Sequence, residues 1–322
     1  MTDITHRTLE TNGIRLHVAE TGSGPLVVLC HGFPESWYSW RHQLTALAEA
    51  GCHAVAPHMR GYGETEAPAA IEAYTLLHLV GDMVGLVGEL GEKTAVIAGH
   101  DWGAPVAWHS ALLRPDVFRG VIGLSVPHRP RSPVRPTTVM PQTDTEVFYQ
   151  LYFQTPGVAE AEHERDVRST IRRLAFTVSG DAGGGGGISI GMVPRTGGFL
   201  TGTVDPETLP AWLTEADIGV YAAEFARAGF RGALNWYRNL DRNWELLAPY
   251  AGAVVTVPAL YMVGDRDLVY RFPGMDQLIP NLKMLVPNLR RTVILPGCGH
   301  WTQQERAAEV NDAMLEFIRE LA

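Results

Sequence analysis

Three cysteines in 322 residues, Cys30, Cys52 and Cys298, are too few and too scattered for a disulfide framework or a zinc site with paired ligand spacing. Cys30 and Cys52 lie in or beside apolar runs, where a free thiol packs as a small hydrophobe. Cys298 is close to His300 but lacks the local surroundings that mark a cysteine nucleophile. No apolar run approaches the length that spans a bilayer, and residues 1–9 lack the apolar core of a secretion signal, so a cytoplasmic protein without membrane insertion is expected. The net charge of -9, with a pI near 5.7 and no stripe dense in lysine and arginine, argues against nucleic acid as a partner. Apolar residues, at 46%, are plentiful enough for a large core, and the length suits one large α/β domain or a domain carrying an insertion.

Short apolar runs at 25–30, 53–56, 94–98, 120–124, 258–263 and 292–295 read as fully buried strands. Helix-length amphipathic stretches separate several of them, such as 74–90, and another at 305–321 follows the last. This alternation predicts a mostly parallel sheet flanked by helices on both faces. Residues 14–18 alternate with period two, as an edge hairpin strand does. The alternation breaks between 129 and 245, a segment that opens on a proline-rich stretch and is then aromatic and helical, without β-alternation. The expected organisation is a core from 1–128 and 246–322 with a helical cap, 129–245, over the active-site end of the sheet. The five glycines Gly183 to Gly187 cannot hold a regular element and read as a mobile cap loop; a phosphate cradle would need a following Lys and Ser or Thr. There is no internal repeat.

Gly99-His100-Asp101-Trp102-Gly103 follows the run 94–98 and precedes an apolar stretch, the strand–turn–helix setting of a nucleophile elbow. Its tip carries a carboxylate. A carboxylate attacks a saturated electrophilic carbon well and opens an amide poorly, so the expected substrate has a strained or activated C–O or C–halogen bond. Two further segments follow strands in the chain order nucleophile, acid, histidine: Gly264-Asp265-Arg266-Asp267 and Gly297-Cys298-Gly299-His300. His300 is the candidate general base and Asp267 the group that orients it, while Asp265, closer to its strand, suits a turn or cap. Ser125-Val126-Pro127-His128, after the strand 120–124, offers no carboxylate as an alternative acid. After 27–30, His31-Gly32-Phe33-Pro34 directs the Phe33 amide toward the same pocket as the Trp102 amide, giving two donors for an oxyanion.

With these motifs the chain resembles the epoxide hydrolases of the α/β-hydrolase fold, of the soluble bacterial type. The resemblance runs essentially end to end and rests on residues 31–40, Arg60-Gly61-Tyr62-Gly63, 99–107, 148–154, 234–239 and 298–303. It implies that the two cap segments each supply a tyrosine whose hydroxyl points at the nucleophile; by position these are Tyr149 and Tyr237, with Tyr152 a competitor to Tyr149. The chemistry requires such acids, because ring opening generates an alkoxide that must be hydrogen-bonded or protonated as it forms. An unperturbed tyrosine, with a pKa of about 10, remains a donor at neutral pH. The implied activity converts an apolar epoxide to a vicinal diol through an aspartyl ester, with water and no metal or organic cofactor. Phe33, Pro34, Trp102, Tyr152, Phe153, Trp236 and Trp301 are the expected substrate contacts, and a homodimer is compatible with the family.

One departure is visible: His58 stands where relatives commonly carry an acid before the Arg60-Gly61 loop, which bears on charge and pH dependence more than on reaction class. The alternatives are a haloalkane or haloacetate dehalogenase, which Trp102 keeps open, and a non-catalytic receptor on a hydrolase scaffold. Halide release calls for N–H donors around an anion rather than for an acid. Phe33 stands where haloalkane enzymes tend to have Asn, and Trp102 with Ala104-Pro105 replaces the arginine-bearing elbow of fluoroacetate enzymes.

Overall fold

The computed structural model describes residues 3–183 and 191–321. Along the chain the strands are β1 Thr5–Thr11, β2 Ile14–Gly22, β3 Leu26–Cys30, β4 His53–Pro57, β5 Ala95–His100, β6 Phe118–Leu124, β7 Glu146–Phe148, β8 Met192–Pro194, β9 Ala259–Gly264 and β10 Leu289–Leu295. The helices are α1 Arg41–Glu49, α2 Leu76–Glu89, α3 Gly103–Leu113, α4 Tyr149–Tyr152, α5 Val158–His163, α6 Val167–Thr177, α7 Glu215–Ala228, α8 Arg231–Arg238, α9 Leu240–Leu246, α10 Met275–Leu278, α11 Thr302–Glu305 and α12 Ala307–Arg319. The main sheet has the order β1-β2-β4-β3-β5-β6-β9-β10. From β4 to β10 its strands run parallel, and β2 and β1 join antiparallel at one edge.

Strands β3, β5 and β9 are buried at every position because both faces of the sheet are covered. Alternate residues of β3 serve the two sides. Val27 and Leu29 pack with Leu44 and Leu47 of α1 and Val310, Met314 and Phe317 of α12. Leu26, Val28 and Cys30 pack with the buried faces of α2 and α3. In α2 the Thr75 hydroxyl accepts the His78 amide at the N-terminus, and Leu76, Leu79, Val80, Met83, Leu86 and Val87 fall on one buried face at helical spacing. The same face carries Asp82, which makes a bidentate, fully buried pair with Arg60 at 2.8 and 2.6 Å.

Three sequence expectations need correction. Residues 14–18 belong to β2, the second strand in, and β1 fills the edge. The run 292–295 is not fully buried: it lies in β10 at the opposite edge, where exposed and covered positions alternate and Ile294 is 45% exposed. The segment read as lacking β-structure contains a small antiparallel pair, β7 with β8. Of the glycine run, Gly183 is described and 184–187 lie outside the described residues. Among the described residues no helix is long and apolar enough to cross a membrane.

The chain between β6 and β9 holds α4 to α9 and is seated on loops at the carboxyl ends of the parallel strands. One of its docking points is backbone on backbone: a Cβ on Gly61 would lie 2.9 Å from the Gly232 Cα, so α8 rests directly on the loop that Arg60 anchors. The Trp236 indole, one turn on, donates to the Arg60 carbonyl at 3.0 Å. Asn243 in α9 accepts the Leu76 amide at 2.7 Å and so caps α2.

This contact generates a paired prediction. Gly232→Ala should lower stability by about 1–3 kcal/mol, since the added methyl meets backbone that cannot step aside. Gly219→Ala, also helical but with only the Arg168 side chain at 3.5 Å from the new methyl, should be neutral or gain about 0.5–1 kcal/mol. Thermal and urea unfolding of the two variants would check this; equal responses would contradict the docking account.

Candidate active site

Strand β5 turns into α3 through Asp101 and Trp102, and the turn requires Asp101 to adopt a left-handed backbone at φ +49°. Small residues make the reversal feasible. A Cβ on Gly99 would overlap the Gly103 carbonyl, one on Gly103 would overlap the Cys30 carbonyl, and one on Gly32 would lie 2.5 Å from the Asp101 Cβ. The Asp101 carboxylate is thereby held against the loop after β3, where its Oδ1 accepts the Phe33 amide at 2.8 Å. Its Oδ2 lies 3.5 Å from His300 Nε2. Trp102 caps α3, so its amide has no partner within that helix.

His300 Nδ1 lies 3.0 Å from Asp267 Oδ1, an oxygen that also accepts the Val269 amide at 2.9 Å. Asp267 is fully buried, and its Oδ2 has no hydrogen-bond partner among the described residues. Asp265 turns away and accepts the Gly297 amide at 2.8 Å. Burial opposes charge on His300, but the Asp267 charge and the hydrogen bonds to Asp101 and Asp267 outweigh it, and its pKa lies well above that of an ordinary histidine. For Asp101 burial likewise opposes charge; the bond to His300, the nearby imidazoles and the Phe33 amide prevail and hold it below the usual aspartate value. Carboxylate and imidazolium are thus mutually stabilised. Cys298, buried beside them, has its thiol pushed up by desolvation.

Two groups around this dyad were given no role in the reading of the sequence. Ser125, left-handed at φ +67° where β6 ends, puts its Oγ 3.2 Å from His300 Nδ1, and the Tyr261 hydroxyl donates to its carbonyl at 2.7 Å. Buried Glu35 makes a short hydrogen bond to His100 Nδ1, and His100 Nε2 donates to the His300 carbonyl at 2.7 Å. Gln303 donates to the other Glu35 oxygen at 3.1 Å. Glu35, His100 and Gln303 thereby tie the loops after β3, β5 and β10 together. The first of these signals was the fixed place of Ser125 after β6; the second, a glutamate in a turn, had no local mark.

Tyr149 opens α4 and Tyr237 lies in α8, with ring centroids 5.9 Å apart. Burial raises both phenols, and the Asp101 charge raises them further, so both hydroxyls keep their protons. Gln150 donates to the Tyr149 hydroxyl at 3.0 Å. A cavity of about 350 Å³ is lined by Asp101, Trp102 and Tyr149 and opens past Val126, Met140, Trp244 and Phe272. Phe33 stands at the centre of an aromatic cluster with Phe153, Tyr237 and Phe230, and Pro34 beside it is half-buried. Phe153 and Trp236 are fully buried, the latter edge-on to Trp102 at 6.0 Å. Trp301 is buried with its indole donating to the Ala175 carbonyl at 2.7 Å. The Tyr152 hydroxyl donates to Glu162 at 2.8 Å, so this tyrosine is engaged within the insertion while Tyr149 lines the cavity.

His58 does not introduce a charge. It stacks on His17 at 4.8 Å and meets His31 edge-on at 6.5 Å, and desolvation followed by the neighbouring imidazoles and Arg227 holds its pKa well below the ordinary value. The Met59 amide donates to His31 Nε2 at 3.0 Å, and His31 Nδ1 lies 3.0 Å from the Gly32 carbonyl in the loop that carries Phe33.

Comparison with known proteins gives the same picture. The family model described as alpha/beta hydrolase fold matches residues 25–179. Epoxide hydrolase A of Mycobacterium tuberculosis is 44% identical over 317 residues, 98% of this chain and 97% of that protein. Among solved structures, an epoxide hydrolase from an endophytic Streptomyces superposes with a TM-score of 0.95 at 48% identity, covering 99% of this chain and 96% of the other. Epoxide hydrolase A from Mycobacterium thermoresistibile does so with a TM-score of 0.91 at 46% identity and 98% coverage of both. By fold, by site and by likeness over almost its whole length, the chain belongs to the epoxide hydrolases of the α/β-hydrolase fold.

Proposed function

We propose that the chain opens an apolar epoxide to a vicinal diol with Asp101 as nucleophile, Tyr149 and Tyr237 as acids, and His300 with Asp267 as the base that releases the product. Residues 129–245 act in this reading as a cap that brings both tyrosines over the core formed by 1–128 and 246–322. The observation that carries it is the placement of two protonated phenols under the field of one ionised carboxylate, with Tyr149 lining the same cavity as Asp101. Halide release would have no use for two acids.

Because Asp101 Oδ1 is held by the Phe33 amide, Oδ2 is the attacking atom. It forms a bond to one ring carbon as the bond from that carbon to the ring oxygen breaks, and the oxygen receives a proton from the tyrosine pair. The product is a hydroxyalkyl ester of Asp101. Esterification removes the Asp101 charge, one of the causes that keep His300 protonated, so His300 gives up its proton, which restores the tyrosine pair, and the neutral imidazole becomes a competent base. Water then gives a proton to His300 Nε2 and adds to the ester carbonyl carbon, while Oδ1 takes up charge against the Phe33 and Trp102 amides. Collapse returns the proton to Oδ2 as the diol leaves with that oxygen, and the proton left on the new Asp101 carboxyl passes to His300, restoring the carboxylate–imidazolium pair. Trp102, with Phe33, Phe153 and Trp236 behind it and Pro34, Tyr152 and Trp301 farther round, shapes the apolar surroundings in which these charges act.

With styrene oxide as probe, Tyr149→Phe and Tyr237→Phe should each slow alkylation about ten- to a hundred-fold and the double variant should nearly abolish it, as expected of acids sharing one oxygen. Stopped-flow single-turnover rates measure this; full activity in the double variant would return both tyrosines to packing. The pH dependence has a fixed sign. Attack needs ionised Asp101, whose pKa is depressed, whereas ester hydrolysis needs neutral His300. Lowering the pH should therefore slow hydrolysis before alkylation, and intact-mass analysis at steady state should show the Asp101 ester accumulating toward acid pH. A falling ester fraction would contradict the assignment.

A further inference from the structure

The loop that carries His300 is held by a carboxylate outside the reaction centre, that of Glu305. Three consecutive amides of this loop are engaged. Gly299 donates to Glu305 Oε2 at 2.7 Å and Trp301 to Glu305 Oε1 at 3.0 Å. The His300 amide between them donates at 2.9 Å to the carbonyl of Val178, the residue that closes α6 in the insertion. Glu305 Oε2 also accepts the Gly180 amide at 2.9 Å. One oxygen therefore joins the backbone just before the base to the backbone of the insertion.

The two segments come too close for any side chain. A Cβ on Gly299 would lie 2.2 Å from the Gly180 nitrogen, and one on Gly180 would lie 2.2 Å from the Gly297 carbonyl oxygen. The amides of Gly180 and Gly299 converge on one point, and only an acceptor placed there satisfies both. Further bonds cross the same seam: the Trp301 indole donates to the Ala175 carbonyl at 2.7 Å, and Arg266 donates to the Gly180 carbonyl at 2.8 Å.

A glutamate that merely capped α11 would stop at the Trp301 amide. Glu305 is buried, and the hydrogen bonds of its carboxylate among the described residues all come from backbone amides. Burial pushes its pKa up against the pull of the three amides, and Asp181 adds to the rise. Arg306 beside it directs its donors to the Glu305 and Pro296 carbonyls. Burying a carboxylate on amides alone is costly. The ionised side chain fits because it only accepts; a glutamine would turn its NH2 toward one of the three donors.

We propose that Glu305 is a positioning residue for the second half of the reaction: by fixing the amides on either side of His300 to the insertion that carries Tyr149 and Tyr237, it holds His300 Nε2 where hydrolysis of the Asp101 ester needs it. The proposal rests on the functional reading above and adds to it a group that acts through His300. The two half-reactions ask different things of that imidazole. Alkylation needs its positive charge near Asp101, whereas hydrolysis needs Nε2 and a water aligned on the ester carbonyl carbon. A loosened loop therefore damages the second step first.

The test follows formation and decay of the Asp101 ester in single turnovers of styrene oxide, by quenched flow and intact-mass analysis. Both rates belong to folded sites alone, so a partial loss of stability leaves them unchanged. In Glu305→Gln hydrolysis should slow about ten- to a hundred-fold while alkylation stays within about three-fold, so the ester accumulates. Glu305→Asp, which keeps the charge on a side chain one methylene shorter, should recover part of the hydrolysis rate. Gly180→Ala leaves Glu305 in place and pushes the insertion off the loop. It should show the same split as Glu305→Gln, and it keeps the proposal testable should the glutamine variant fail to fold. A ratio of the two rates unchanged from wild type in these variants would overturn the proposal. Ester formation by wild type separates this from the wider reading: with it, an unchanged ratio sinks only the role of Glu305, whereas its absence sinks the catalytic assignment as well.

Discussion

The reversal of backbone at Asp101 is the constraint on which the site depends. A carboxylate can stand clear of both strand and helix only if its own residue takes the left-handed conformation, and that is tolerable only where the neighbouring chain comes very close. Glycines at 99, 103 and 32 allow the approach. The same closeness brings the Phe33 amide to Asp101 Oδ1, so the steric solution of the turn also gives the carboxylate a backbone donor. Around it, the loops after β3, β5 and β10 are locked to one another through Glu35, His100 and the His300 carbonyl. The insertion completes the arrangement from above, where the contact of α8 with Gly61 sets the height of Trp236 and Tyr237.

Burial acts on every titratable group here, and its consequence depends on the partner. Asp101 and His300 overcome desolvation because each is the other's counter-charge, with Asp267 behind the imidazole. Tyr149 and Tyr237 have no cation close enough to reverse it, so desolvation and the Asp101 field act together to keep them protonated. The Asp101 carboxylate is therefore ionised while both phenols stay protonated. His58 shows the third outcome: packed against other imidazoles, it is driven neutral and joins a stack of rings.

Much of the fold and the central residues was legible because the signals are local. Asp101, Asp267 and His300 each follow an apolar run directly, and glycines beside them mark turns; the resemblance in the 148–154 and 234–239 segments pointed to Tyr149 and Tyr237. Strand β10 was misread because an apolar run of four looks alike in a central strand and in an edge strand with a half-covered face. The β7–β8 pair is too short to show period two. Glu35 and His100 are 65 positions apart, and Ser125 and His300 are 175 apart, so only the folded chain brings them together. Tyr152 and Tyr149 share a short helix, and what separates them is Glu162, which engages Tyr152 from a different element.

The ester route differs from direct attack of water on the epoxide in the origin of one oxygen. A single turnover of styrene oxide with excess enzyme in ¹⁸O-water should yield largely unlabelled diol, because the delivered oxygen is Asp101 Oδ2, and should leave ¹⁸O in the peptide that contains Asp101. Later turnovers should then release labelled diol. Solvent label in the diol of the first turnover, with an unlabelled Asp101 peptide, would contradict the nucleophilic role of Asp101 even with the fold and the His300–Asp267 pair intact.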